Sequence, residues 1–489
     1  LLHSAPLIDL LGHIHPIGWM SLGRSTFQAN FMGNPNGLSS TTIHSAFNIE
    51  PQTPAQKRAM SYANTIKLLF DEILNTKQPA DRVLANYFRE HKKHGSKDRK
   101  VIRESLFSLF RWWGWFKATA DHQQADHFFA MLSASALIEA HPWQDIAQAW
   151  HELAQSPADY QQLQSLSVNS LTDKLALVRQ QFPEASFELA DLLPEWFWQV
   201  CPIAPELRPN LIEAMSSRPP IWGRAQGINS QTAVKQLQAL EIDASLSPYF
   251  EDAINLGTKS MNLNEISLYK EGKIEIQDLA SQVIGQICAP EPWQHWWDAC
   301  SGAGGKTLQL RALMQTAAAK QHSPFVGSIV SSDIRAHALE ELSKRAQRAK
   351  FDGISIARWR SDALPVDANH FDGVLVDAPC SCTGTWRRNP DMRWLDSLDA
   401  VTDKAALQLD ILSRSSKAVK RGGSLVYATC SLSPVENEQV VSAFLQQHPE
   451  FNLVPIRHPF TGEQTEMLTV WPFEANTDGM FVACMQRNL

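Results

Sequence analysis

Apolar residues recur three and four places apart over 62–76, 79–92, 98–118 and 126–141, the spacing that lines one face of a helix. Asp81 and Ser96 stand where the N-caps of the second and third segments belong. The helical texture runs from about 60 to 200 and closes on a short amphipathic stretch, 191–202. From 217 to 280 the pattern shortens. Pro219–Arg224 predicts a strand entry and 231–240 a helix, and Ile266–Tyr269 and Lys273–Ile276 follow as short runs of a small α+β module. From 281 onward strands and helices alternate. Strands are predicted at Trp296–Ala299, Ser328–Ser331, Ile354–Ala357, Gly373–Val376 and Ser424–Tyr427, with helices at 306–318, 336–350, 403–420 and 435–447. This is the βαβ rhythm of a doubly wound parallel sheet, which binds ligands beyond the carboxyl ends of its strands. Met467–Trp471 and Met480–Met485 predict a terminal hairpin on the sheet edge.

The pattern divides the chain into 60–200, 201–280 and 281–489. Residues 1–58 show no sustained period, few charges and many Ser, Asn, Gly and Pro, so the ordered protein is expected to begin near Met60, after a tail or translated upstream sequence. Composition adds that the chain is globular, with 44% hydrophobic and 19% charged residues. No run approaches the ~18–20 apolar residues of a membrane span, so no membrane partner is expected. Seven cysteines in 489 residues do not make a disulfide framework, and none forms a C-x-x-C pair. No metal is expected, and a reduced, cytoplasmic setting fits best.

A net charge of −7 argues mildly against a nucleic-acid partner, but the average hides an asymmetry. Residues 82–117 hold ten Lys/Arg against three Asp/Glu, whereas 120–200 hold eleven Asp/Glu against Lys174 and Arg179. Lys92, Lys93, Lys97, Arg99, Lys100 and Arg103 crowd one turn and the following helix start, either a solvated helical hairpin or a phosphate-contacting patch. A second basic span, 335–360, holds seven Lys/Arg against three Asp/Glu.

Candidate chemistry lies at the strand ends. Asp298-Ala-Cys-Ser-Gly-Ala-Gly-Gly-Lys-Thr307 runs from a strand into a Gly-rich turn and a helix, where the backbone can approach a ligand and the helix start offers amide donors. A Walker P-loop fails, because the required earlier glycine is Cys300. Asp333, Asp362 and Asp377 follow successive strands, and a carboxylate after the second strand can accept from ribose hydroxyls. Together they describe a nucleoside-bearing cofactor across the strand ends. Cys380 and Cys430 end neighbouring strands at that edge, ahead of polar turns.

These motifs resemble the Sun (Fmu)/Nop family of S-adenosylmethionine-dependent RNA cytosine-5 methyltransferases, in its bacterial ribosomal-RNA branch. Asp298–Thr307 is similar to the family's D-x-C-A-A-P-G-G-K-T, Asp377–Asp391 to its D-A-P-C-S-G-T-G stretch, and Tyr427–Glu438 to its second cysteine motif. Gln277–Ser281 and Trp471–Ala483 also match. The likeness covers about 277–489, and more weakly 79–113. It implies a Rossmann-like methyltransferase domain behind a NusB-like all-α RNA-binding domain and a small RRM-like module. S-adenosylmethionine is the implied cofactor, cradled by Ser301, Gly302, Ala303, Gly304 and Gly305, with Asp333 on the ribose and Asp362 on the adenine amine. The resemblance makes Cys430 the nucleophile toward cytosine carbon 6 and Cys380 the residue that aids product release. Asp377 holds the cytosine edge, with Lys306 assisting.

Arg387, Arg388 and Arg393 just past the Cys380 motif are read either as RNA contacts or as structural groups. Three departures stand out. Ser301-Gly302-Ala303 replaces A-A-P, Cys382 stands where glycine is usual, and a basic position of the family is Ala338, with Arg335 or His337 as substitutes. The expected partner is RNA, ribosomal in preference to transfer RNA, and the expected state a monomer. The competing reading is a catalytically idle RNA-binding assembly factor.

Overall fold

The computed structural model describes residues 50–119 and 121–489. Its first helix, Pro54–Thr76, opens on the N-cap Thr53, whose side chain accepts from the Gln56 amide, and closes at Lys77 in the left-handed region (φ 55°). Met60 lies inside this helix and is buried, so the helical region starts before the expected boundary. The remainder of that expectation, residues 1–49, lies outside the described residues.

Helices Ala80–Glu90, Ser96–Thr119, Ala125–Ile138, Gln144–Leu153 and Leu171–Gln181 follow, and the first three of these lie within a few residues of the segments that periodicity predicts. Asp81 is not the cap of its helix. That role falls to Asp391, more than three hundred residues away, whose Oδ2 accepts from the Ala80 amide at 2.8 Å. The stretch 191–202 is not one helix: Leu189–Leu192 forms a 3-10 turn and Phe197–Val200 a separate helical turn, because Pro194 interrupts between them. Three tryptophans anchor this core and keep their indole N–H groups satisfied. Trp112 donates to Glu139 at 2.9 Å, Trp115 to the Glu188 carbonyl at 2.9 Å and Trp150 to the Ala59 carbonyl at 2.8 Å. At Gly114 the helix presses on the 3-10 turn so closely that a Cβ would lie 1.8 Å from the Asp191 carbonyl oxygen.

Strands β1 (Trp222–Ala225), β2 (Ser245–Leu246), β3 (Ala253–Asn255) and β4 (Ile274–Ile276) form an antiparallel sheet in the order β2-β3-β1-β4. The run Ile266–Tyr269 is not a strand: Ser267–Lys270 is a helical turn.

The large sheet contains β5 (His295–Asp298), β6 (Ser328–Ser331), β7 (Ile354–Ile356), β8 (Phe371–Asp377) and β9 (Val419–Thr429). It continues with β10 (Phe451–Val454); a small pair, β11 (Ile456–Arg457) and β12 (Gln464–Thr465), stands apart from it. The last strands are β13 (Met467–Val470) and β14 (Met480–Arg487). The order is β10-β14-β9-β8-β5-β6-β7, with β13 also on β14. Strands β5 to β9 are mutually parallel, while β14 runs antiparallel to β9. The terminal hairpin is therefore not an addition at the edge. Its second strand is inserted beside β9, and β10 and β13 share the far side of β14. The direction in which successive parallel strands are added to the sheet reverses between β5 and β8, the topological switch point where such sheets bind ligands.

Helical region and sheet domain share one core, in which Trp386 and Leu432 pack among the helical residues. Arg393 clamps that junction. Fully buried, it donates to the carbonyls of Leu192 (3.0 Å), Met215 (2.7 Å) and Trp386 (3.1 Å).

Candidate active site

The Gly-rich turn leaves β5 and enters the helix Gly305–Gln321. Gly302 (φ 54°) and Gly304 (φ 87°) take left-handed conformations, and a Cβ on Gly304 would sit 2.5 Å from Leu342 Cγ. The turn is held from three sides. Asp298, fully buried at the end of β5, accepts from Thr307 Oγ1 at 2.6 Å, and burial pushes its carboxyl up to about 7. The Gly302 amide donates to Asp333 Oδ2 at 3.0 Å. Arg345 Nη1 donates to the Ala303 carbonyl at 2.6 Å and is itself gripped by Glu275 of β4 at 2.9 Å. Sequence reasoning missed Arg345 because its partners come from two other elements.

Asp333 follows β6 and is almost fully buried. Burial alone would raise its carboxyl, but Arg335 and the Gly302 amide outweigh that and hold it below the usual range. Arg335 grips Asp333 through Nε and Nη2, both at 3.0 Å, so Arg335 rather than His337 is the cation at this carboxylate; Ala338 is buried. Asp362 is set apart. It is largely exposed and faces Arg414 of the helix Lys404–Ser416 at 3.2 Å.

Lys306 and Asp377 meet at 2.7 Å across the switch point. Burial would lower the lysine, but Asp377 outweighs it and raises the ammonium above its ordinary value. Beyond them the two cysteine loops converge, with Cys380 Sγ and Cys430 Sγ 3.2 Å apart. Cys382 joins them, and all three sulfur atoms lie within 4.8 Å of one another. The thiols titrate together. Hydrogen bonds from Cys380 and Cys430 hold Cys382 well below a free thiol. Cys430 is pulled down by its bond to Cys380, but Cys382, burial and the charge of Asp377 outweigh this and hold it well above. The helix after Cys430 begins only at Glu438, later than the spacing predicted.

The intervening turn carries Glu436, fully buried, which ties the two loops together. Its carboxylate accepts from the Ser381 amide at 2.8 Å, from Gln408 Nε2 at 3.0 Å and from the hydroxyls of Ser381 and Ser431. A polar residue at the start of a predicted helix gives no sign that it points inward, so sequence reasoning passed over it.

The predicted RNA contacts divide. Lys92, Lys93, Lys97, Lys100 and Arg103 are exposed, and Arg99 is half-buried with Nε on the His94 carbonyl at 2.9 Å. Arg387 is not available to RNA. It is buried, and its guanidinium donates to the Thr477 carbonyl (2.7 Å), Ser217 Oγ (2.8 Å) and Asn476 Oδ1 (2.6 Å). Arg388 is exposed and pairs with Asp478. Within 335–360, Arg345 and Arg348 are held by Glu275, which removes part of that basic span from the surface. Arg103, Arg111, Arg218, Arg387 and Arg388 line a cleft of about 420 Å³ where helical region, small sheet and the loop after Cys380 meet. The two further matching motifs also come together, as Asp278 Oδ1 accepts from Thr477 Oγ1 at 2.6 Å.

Parallel strands in this order, an antiparallel β14 inserted beside β9, a Gly-rich turn after β5 and a buried carboxylate after β6 define a Rossmann-like methyltransferase fold. Residues 285–486 match the family described as 16S rRNA methyltransferase RsmB/F. The chain is 32% identical over 247 residues to ribosomal RNA small subunit methyltransferase B of Yersinia pseudotuberculosis and equally to that of Yersinia pestis. The alignment covers 50% of this chain and 55% of theirs, so the chain spans about half the length of the curated relatives it matches. Among solved structures, PH0851 aligns with a TM-score of 0.65 at 21% identity, over 89% of this chain and 99% of its own. NSun6 from Pyrococcus horikoshii, solved with SFG, aligns with a TM-score of 0.52 at 17% identity, over 60% of this chain and 97% of its own. At these identities both show the fold alone. No helix among the described residues is long and apolar enough to cross a membrane.

Proposed function

We propose that the chain is an S-adenosylmethionine-dependent RNA methyltransferase that forms 5-methylcytidine, in ribosomal RNA, through a covalent cysteine–cytosine intermediate. The carrying observation is the pair Cys380 and Cys430, 3.2 Å apart at the ends of adjacent parallel strands, beside the Lys306–Asp377 pair at 2.7 Å. The pocket edge fits the cofactor. The left-handed Gly302 and Gly304 leave a backbone cradle that side chains would fill, and Asp333 offers a buried carboxylate for a ribose. Ser301–Gly305 and Asp333 would hold it, with Asp362 a weaker candidate because its carboxylate faces Arg414. When bound, S-adenosylmethionine supplies an electrophilic methyl group.

The chain's own residues do the rest. A cytosine must leave its stack to reach loops this enclosed. Asp377 accepts from its exocyclic amine, which uracil lacks, and Lys306, 2.7 Å away, orients that carboxylate. Cys430 Sγ adds to carbon 6, which makes carbon 5 enamine-like and nucleophilic. After substitution a base takes the carbon-5 proton, the electrons of that C–H bond form the carbon 5–carbon 6 double bond, and the carbon 6–sulfur bond breaks with its pair returning to Cys430, with Cys380 alongside to assist release. The exposed lysines of 92–100 supply phosphate contacts from the helical region.

Bisulfite sequencing of ribosomal and transfer RNA, with and without the chain, tests the reading. Gain of one protected cytosine in ribosomal RNA supports it, and gain in transfer RNA moves the substrate. No gain in either favours the idle assembly factor. Cys430→Ala should abolish methylation, and Cys380→Ala should trap an RNA adduct that withstands denaturing electrophoresis. An adduct formed by Cys430→Ala reverses the two roles.

A further inference from the structure

The reaction uses two thiols, yet the structure gathers three. Cys382 sits in the left-handed region (φ 59°), a conformation a residue with a Cβ adopts at a cost of about 1 kcal/mol. That conformation turns its sulfur toward Cys380 and Cys430, with all three Sγ atoms within 4.8 Å of one another. We infer that Cys380, Cys382 and Cys430 form a three-thiolate site for a soft divalent metal ion of the zinc class, with a fourth coordination position left open.

The geometry suits such an ion. Zinc–sulfur bonds of ~2.3 Å place tetrahedral sulfurs about 3.8 Å apart, so side-chain rotation of about 1 Å or less closes the set. The donors are all sulfur, which favours zinc, cadmium or cobalt over magnesium or calcium. The three cysteines are only half-buried, so an ion can enter from the ligand-binding edge and keep a water or thiol as fourth ligand. The loops are already ordered by Glu436, which holds Ser381 beside Cys380 and Ser431 beside Cys430, so little entropy is lost on binding. Three thiolates and one divalent ion leave a single negative charge, and Lys404, Arg388 and Lys306 act on the cluster's cysteines electrostatically. Each thiol still protonated loses its S–H proton to solvent, Cys380 and Cys430 among them, and three sulfur–metal bonds form; nothing is oxidised. No C-x-x-C spacing announced the site because two ligands are Cys380-x-Cys382 and the third comes from the end of β9.

A bound ion sequesters Cys430. That consequence, reversible silencing of the enzyme, rests on the proposed reaction; binding itself does not. The test is titration of the reduced full chain with Co²⁺ under argon, followed by thiolate-to-cobalt charge-transfer absorption. One equivalent should saturate the band, Zn²⁺ should displace it, and about two protons, from Cys380 and Cys430, should appear in weakly buffered solution. Cys382→Gly should weaken binding about tenfold or more, and Cys430→Ala likewise, while Cys484→Ala, outside the cluster, should leave the band intact. Circular dichroism establishes that each variant is folded. A folded, fully reduced chain without the band, or a band of equal affinity in Cys382→Gly, overturns the site. Methylation enters none of these readouts, so a failed metal site and a failed enzyme are told apart.

Discussion

The two cation-rich stretches at 92–103 and 387–393 look alike in composition and behave as opposites in space. In the first, five of the six predicted residues are exposed on a turn and helix start. In the second, Arg387 and Arg393 are buried and bound to backbone carbonyls of other segments, and only Arg388 reaches the surface. Charge density along a sequence measures how much cation is present; burial decides whether it meets phosphate or holds the fold together. A long apolar stem and a planar fork with five donors suit arginine to the second task, whereas a compact, strongly hydrated ammonium suits lysine to the first.

The sharpest way to break this contrast is Arg393→Ala. It leaves the buried carbonyls of Leu192, Met215 and Trp386 without their donor, and the expected loss is on the order of 3–5 kcal/mol in urea unfolding. A loss below about 1 kcal/mol would mean the junction is not held there. Arg387→Ala should cost about 2 kcal/mol in the same measurement, with the salt dependence of RNA binding unchanged. Changing Lys92, Lys93, Lys97 and Lys100 together to Ala should do the reverse. Stability should move by less than about 0.5 kcal/mol. The slope of log affinity against log salt should become shallower by about 0.7 for each phosphate no longer neutralised. An unchanged slope would return these lysines to the role of a solvated hairpin.

A further effect concerns pH at a third buried arginine. Arg111 pairs with Glu139 at 2.9 Å, Arg218 meets the same carboxylate at 3.3 Å, and His141 and Lys174 face it. Burial opposes ionisation, but Arg111 and Arg218 outweigh it and hold the Glu139 carboxyl at about 2. Its stabilisation is present above the unfolded value near 4.5 and is lost as pH falls toward 2. Burial lowers His141 to about 4, so the unfolded chain binds its proton first as pH falls from 6.5. Both groups act in the same direction. Thermal melts should shift downward below pH 6.5 and more steeply below 4.5, and Glu139→Gln should flatten the lower limb.

Local pattern made much of the site legible. The Gly-rich turn, Asp333 after β6, and Cys380 and Cys430 at adjacent strand ends all follow from strand periodicity plus residue type, because a parallel sheet places successive carboxyl ends side by side. Helix limits and seven of the large-sheet strands were visible for the same reason, within a few residues. Glu436, Arg345 and the cap from Asp391 were not, since each satisfies groups far away in sequence and carries no local signature.

The sequence by itself determined the elements, the chemistry of the strand-end residues and the family model that residues 285–486 match. Only the tertiary structure decided which arginines face solvent, placed β14 inside the sheet rather than at its edge, and turned Cys382 toward the other two sulfurs. The physical reason is the range of the interactions. Periodicity and turn chemistry act over a few residues, whereas desolvation and the partnering of buried polar groups depend on what the folded chain packs against them.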